Sequence, residues 1–409
     1  MNKFRSILTS SSGLNALSSV IAVLVGLLAG FIILLISNPS NAVAGFVTVL
    51  TGGFSDMFNV GMVLYYATPI IMTGLSVGFA MKTGLFNIGA SGQFTFGMYA
   101  SILAAIHLSF LPDLLRCFVA LLSGMLAGAI WGSLPGILKA LRNVHEVISC
   151  IMMNYIGMYV VNYLIGVTGV YDQLRNMTTR VPTSANLPSL GLGEVFSTAT
   201  SQGSVRNSSV GSGIIIAVII CILLYIVLEK TKFGYELKSC GFNKDAAKYA
   251  GINENKGIIL SMTIAGGLAG LGGALLALAG AGRGIAVVDV LAGEGFHGIP
   301  IALLGLSNPI GIIFSGTLVA YLTQSGFLLQ MHGYAPEVID IIVAVIIYFS
   351  ALALLLKGVI QYLLKNKKAA ATDTVDNSEE DLKDDSAGDA SFEDDSEPGS
   401  FESSKGGDI

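Results

Sequence analysis

Charge is what this chain has least of. Only 12% of its 409 residues are Asp, Glu, Lys or Arg, against 53% hydrophobic, and the mean hydropathy is +0.72. Such a composition excludes an ordinary soluble domain and indicates a polytopic membrane protein. Cysteine is scarce too. Of the four, Cys117, Cys150 and Cys221 fall in apolar runs and Cys240 in a polar loop, which suggests neither a disulfide framework nor a CxxC metal pair. No GxxxxGK[ST] occurs, so the chain does not cradle nucleotide phosphates by that route. Carboxylates are almost missing from the apolar runs: Glu337 and Asp340 stand at a span edge, and Asp56, Asp289 and Glu294 fall in expected outer loops. Acids inside a bilayer are costly and mark the coupling sites of ion-driven carriers, so their shortage argues against that class.

The charge that is present is unevenly placed. From Asp373 onward the chain holds 14 of its 27 acids and two of its 22 bases, leaving a body of 13 acids and 20 bases, a charge of +7. Apolar runs at residues 17–36, 60–80, 88–106, 115–138, 147–167, 214–228, 257–279, 299–306, 310–329 and 338–356 read as ten membrane segments, the first an uncleaved helix. Residues 38–58 read as an outer loop with a surface-lying piece, and 168–212 as a long outer loop. With both termini cytoplasmic, 15 of the 20 body cations lie inside, and the exceptions are Arg116, Arg175, Arg180, Arg206 and Arg283. The expected fold is therefore all-α, a polytopic helical bundle. Residues 1–58 supply a first helix and outer loop, 59–364 the main transmembrane domain, and 365–409 an acidic cytoplasmic tail expected to be disordered.

Two segments read as interrupted. TGLFNIGASGQFTFG at 83–97 puts Asn87, Ser91 and Gln93 among four interior glycines where a helix should enter the bilayer. GEGFHGIPIALLGLSN at 293–308 repeats the theme with Glu294, His297 and Pro300. Broken backbone at that depth must be buried in protein or line a cavity. The GASG at 89–92 looks like the serine motif of rhomboid proteases, but that chemistry needs a histidine beside Ser91. The expected topology instead places His107, His297 and His332 towards the outside and His145 in a short cytoplasmic turn.

The lysine-rich island at 229–256 is expected on the cytoplasmic side. Asn243 can cap a helix over 244–250 and Gly251 supplies a left-handed stop. Ala246, Ala247 and Ala250 would give that helix a methyl face flanked by Lys244 and Lys248, open to another protein's groove. In ISCIMMNYIGMYVVNYL at 148–164, Tyr155, Tyr159 and Asn162 fall at i, i+4 and i+7, one helical face carrying two aromatic planes and an amide. Read residue by residue, such groups serve equally as glue between helices.

GLFNIGASGQF, GFNKDAAKYAGI and GEGFHGIPIALLGLSNPIG together resemble the permease family of ATP-driven importers that includes ribose, galactoside and branched-chain amino acid systems. The resemblance covers about residues 60–356, and Asn154 with Tyr155, the extra first span and the long outer loop are most similar to the larger permease of nucleoside importers served by basic membrane protein-type lipoproteins. It departs at Ser91, where an acid is expected, at Pro300, where Ala or Val is expected, and in the acidic tail. The resemblance implies a bacterial plasma-membrane subunit with no cofactor and no ATPase site of its own. Its partners would be an ATPase, a second permease in a mixed pair and an extracellular lipoprotein, with no nucleic acid. It implies that Gly241, Asn243, Ala246, Ala247 and Gly251 couple to the ATPase. Asn87, Gln93, Asn154, Tyr155, Tyr159 and Asn162 are candidates for the solute path, and Asp289 and Glu294 for contact with the binding protein. A simple-sugar importer is the alternative within the class.

Overall fold

A computed structural model describes residues 11–199, 204–280, 283–351 and 358. The chain divides into a unit of residues 1–354 and a second of 355–409. The expected acidic tail lies outside the described residues.

The helices are α1 Ser11–Ser37, α2 Ala42–Thr51, α3 Met57–Lys82, α4 Ala90–His107, α5 Asp113–Arg142, α6 Glu146–Val167, the short α7 Leu192–Val195, α8 Gly213–Lys230, α9 Lys232–Phe242, α10 Lys244–Tyr249, α11 Glu254–Ala277, α12 Gly293–Leu304, α13 Pro309–Leu329 and α14 Pro336–Ala351. Seven of the segments are long and apolar enough to cross a membrane. The other three of the ten expected from sequence correspond to α4, α12 and α14, described over 18, 12 and 16 residues. The surface-lying piece expected in the first outer loop is α2, whose Ala42 and Val49 share a core with Leu34 of α1, Leu322 and Leu329 of α13 and Ile342 of α14.

Burial sorts the long helices into two kinds. The apolar windows of α3 and α11 are each 78% buried, whereas those of α1, α5, α6 and α8 are 22% to 33% buried. The first pair forms the centre, and the second group faces lipid or another chain. Lipid supplies no hydrophobic drive for helix association, so the centre is held by close packing of small residues. In α5, Gly124, Gly128, Gly132 and Gly136 recur every fourth position and form one stripe, which meets Gly266 and Gly270 of α11. A methyl group at Gly132 would stand 2.8 Å from the Gly266 Cα and 2.7 Å from the Met262 carbonyl oxygen.

Helix ends use the side chains their sequences offer. Asp56 accepts from the Asn59 N–H at 2.7 Å to cap α3, and Asn253 accepts from the Lys256 N–H at 3.0 Å to cap α11. Arg116 was read only as an outer cation. It is buried and donates from Nε to the Ala105 carbonyl at 2.6 Å, neutralising the C-terminal end of α4.

The long outer loop also carries strands that the helical pattern did not announce. β1 Tyr171–Asp172 pairs antiparallel with β2 Met177–Thr178, and β3 Ser197–Ala199 with β4 Val205–Asn207. The first hairpin is tied to the segment after α11, because Thr178 N–H donates to the Ile285 carbonyl and Val287 N–H to the Asn176 carbonyl, each at 2.9 Å.

Gly132→Ala should lower the thermal unfolding temperature in detergent, the overpacking costing about 1–3 kcal/mol. Gly166→Ala on α6, where a methyl group meets nothing within 4 Å, should leave it unchanged or raise it slightly through better helix propensity.

Candidate functional site

The first interrupted segment is shorter than its sequence suggests. Only residues 83–89 are irregular, and α4 is helical from Ala90. The break begins at Gly84, in the left-handed region at φ 73°. Peptide groups freed at such a break cannot turn to lipid, and amide side chains take them up. Asn154 of α6 accepts from the Gly92 N–H at 2.8 Å and donates to the Ile88 carbonyl at 3.0 Å. Asn87 and Gln93 exchange two hydrogen bonds of 2.8 and 3.0 Å, and Asn87 also donates to the Ser76 hydroxyl at 3.1 Å. Ser76 in turn donates to the Ala265 carbonyl at 2.6 Å.

Of the six path candidates, Asn87, Gln93 and Asn154 are buried, and their amides bond within the chain. Tyr155 and Tyr159 lie on the outward face of α6 and are exposed. Asn162 lines a cavity, and its amide donates to the Val288 carbonyl at 3.1 Å.

That cavity has a volume of about 320 Å³, within the ~300–1,000 Å³ typical of small-molecule sites. Phe94, Thr95 and Met98 of α4, Met158 and Asn162 of α6, and Leu276 of α11 form its sides. Residues 283–292, suspended from the outer hairpin, and the first turn of α12 complete it. Its two charged groups are Arg283 and Glu294, 3.8 Å apart. The Arg283 guanidinium also lies 5.5 Å from the centre of the Tyr66 ring and donates to the Tyr66 hydroxyl at 3.4 Å.

Glu294 was expected in an outer loop. It lies instead in the first turn of α12 and lines the cavity, because that helix begins at Gly293 and runs without a break through Pro300. Asp289 is exposed, with no ion pair among the described residues. The start of α12 sits beside the start of α4, since a methyl group at Gly295 would stand 2.8 Å from the Ser91 Cβ. His297 lies in the second turn of α12, and its enclosed Nδ1 has no hydrogen-bond partner among the described residues. Ser91 donates to the Ala292 carbonyl at 2.8 Å, and no histidine bonds to it among the described residues. The described residues also hold no group of three His, Cys, Asp or Glu suited to a metal ion.

On the cytoplasmic island, Asn243 caps α10 by accepting from the Ala246 N–H at 3.0 Å, and Gly251 ends it at φ 78°. The methyl face is split, however. Ala247 is only 4% exposed, whereas Ala246 and Ala250 are exposed. Tyr249, 94% exposed, and Phe242 are the large groups presented outward. The preceding helix α9 brings Gly241 onto the α3–α4 break, where a methyl group would stand 2.6 Å from the Gly84 nitrogen. Cys240 beside it is buried, and burial first, then Glu254 and Glu236, pushes its thiol up, which keeps it protonated and inert.

The family of branched-chain amino acid transport system permease components matches residues 59–351. The chain belongs to that permease family. The permease is 36% identical to the guanosine ABC transporter permease protein NupP of Bacillus subtilis over 85% of its own length and 96% of the relative's. It is 34% identical to the nucleoside ABC transporter permease protein NupB of Lactococcus lactis, over 86% and 93% of the two chains. It is 30% identical to the glucose ABC transporter permease protein TsgB13 of Haloferax volcanii, over 81% and 85%. No solved structure matches it. With its candidate spans, the permease is a multi-pass protein of the bacterial cell membrane and a transport component.

Sequence reasoning passed over Arg283 and Tyr66. Arg283 could have been noticed as the lone base between two membrane segments and eleven positions before Glu294. Tyr66, inside an unbroken apolar helix, carried no such signal.

Asn154→Ala would strand the Gly92 N–H and the Ile88 carbonyl at a cost of about 1–3 kcal/mol. Abundance and detergent unfolding temperature should fall, while the KM of the protein that does fold stays put. A KM shift with unchanged stability would return Asn154 to the solute path.

Proposed function

We propose that the permease imports nucleosides, driven by a separate ATPase that docks on the coupling helix at residues 241–252, which includes α10. The observation that carries this reading is its similarity, over nearly the whole of both chains, to permeases named for guanosine and for nucleosides. The cavity is in keeping with it. Apolar and aromatic walls suit a base, while the Asn162 amide, Arg283 and Glu294 supply donors and acceptors for a ribose. The path continues along the exposed face of α6, where Tyr155 and Tyr159 meet a second, non-identical permease. An extracellular lipoprotein selects the solute, and Asp289, exposed beside the cavity-lining segment, is placed to meet it.

The chain itself contributes no phosphate-binding loop, so the energy comes from the ATPase. Force on α10 passes through Gly241 to the backbone at Thr83 and Gly84, which leads into the amide-bonded break. From there Ser91 bears on Gly295 at the head of α12 and so on the cavity wall. Each step is backbone against side chain or backbone without slack, which is how a rigid element transmits a displacement. A sugar importer is the second reading, favoured by the likeness to the glucose permease.

Radiolabelled guanosine and glucose uptake in cells with and without this chain should show guanosine lost on deletion and on ATP depletion but surviving an ionophore. Glucose showing that pattern instead would move the reading to sugars. For the docking loop, Ala246→Trp should abolish uptake while the unfolding temperature stays unchanged, because the residue is exposed. Unchanged uptake would exclude α10 as the contact.

A further inference from the structure

We propose that the Arg283–Glu294 ion pair makes the cavity a charge filter, passing uncharged solutes and rejecting anionic or cationic analogues of the same shape. This rests on the reading of the cavity as part of the transport path. Apart from that pair, the lining residues carry no ionised group. Both side chains of the pair reach the cavity surface, 39% and 33% exposed, so a solute meets them directly.

The pair is held in place from both sides. Arg283 is pinned to the face and the hydroxyl of Tyr66, and that ring is itself packed against Phe327 at 5.6 Å and Tyr65 at 5.0 Å. Glu294 sits in the first turn of α12, where the helix dipole favours a negative charge. Neither group swings freely to neutralise an incoming ion.

A lone charge in a poorly solvated wall attracts solutes of opposite sign and repels those of its own. Paired, the two fields cancel a short distance away. The guanidinium still offers N–H donors and the carboxylate still accepts, so hydroxyl, amide and amine groups of a neutral solute can be bonded. A charged solute must either split the pair or bring an uncompensated charge into the cavity. Both are penalised where water is limited, and specificity follows from the penalty on the wrong solute. A purely structural tie between residues 283–292 and α12 would give a different result, because losing it would slow every solute alike.

The test uses the complete transporter in proteoliposomes with an unaltered capturing lipoprotein. Uptake of guanosine, its 5′-carboxylate and its 5′-amino derivative is read as the ratio of charged to neutral solute. Since the lipoprotein is the same in every arm, a change of ratio belongs to the permease. Glu294→Gln should raise the carboxylate ratio about tenfold, and Arg283→Gln should raise the 5′-amino ratio by a similar factor. Arg283→Gln combined with Glu294→Gln, which leaves no lone charge, should bring both ratios back to near their starting values. Unmoved ratios in both single variants, with all three solutes slowed together, would overturn the filter and leave the pair as a tie. Failure of the unaltered transporter to take up guanosine would overturn the nucleoside reading beneath it. If one single variant does not fold, the other still decides the matter, because each predicts a different analogue.

Discussion

A peptide group without a hydrogen bond costs several kcal/mol in hydrocarbon, and this chain breaks its helical backbone at residues 83–89, among helices long and apolar enough to cross a membrane. The arrangement around residues 83–92 follows from that constraint. The chain leaves α3 at Lys82 and restarts at Ala90, and the groups freed between are taken up by the side chain of Asn154 and by the helix ends themselves. Asn87 and Gln93 close on each other and, through Ser76, on the Ala265 carbonyl of α11. Thus α3, α4, α6 and α11 are joined by polar bonds that only the break makes necessary.

The break in turn lets the first turn of α12 pack against the start of α4. Gly295 rests on the Ser91 backbone, which puts Glu294 opposite Arg283 and shapes a cavity under a segment hung from the outer hairpin. On the other side of the same break, Gly241 touches Thr83 and Gly84. The cavity wall and helices α9 and α10 therefore share one short stretch of backbone. A glycine at each meeting point is what lets the contacts be close enough to carry force.

Glycine also explains the division between centre and periphery. Where no hydrophobic drive exists between helices, proximity must come from removing side chains, and the α5–α11 stripe does this along four turns. The price is weak intrinsic helix propensity. It is tolerated because a helix in lipid has no better place for its backbone than its own hydrogen bonds.

Much of this was legible in the sequence. Class, helical architecture and the family rest on composition, apolar length and three motifs, all of which are local. The cap at Asn243 and the stop at Gly251 were readable because capping involves residues three or four apart. What could not be read was which polar groups face each other. Asn87, Gln93 and Asn154 look the same in sequence whatever they bond to, and only their mutual distances show the hydrogen bonds they make around the break. Arg283 and Glu294 become a pair only when the chain between them folds back. Ala247 differs from Ala246 only because helix phase turns one inward. Sequence alone settled the class, the helices and their local ends, since the solvent and the next few residues decide those. Partnership between distant polar groups was left to the tertiary structure, because it depends on where separate helices bring them.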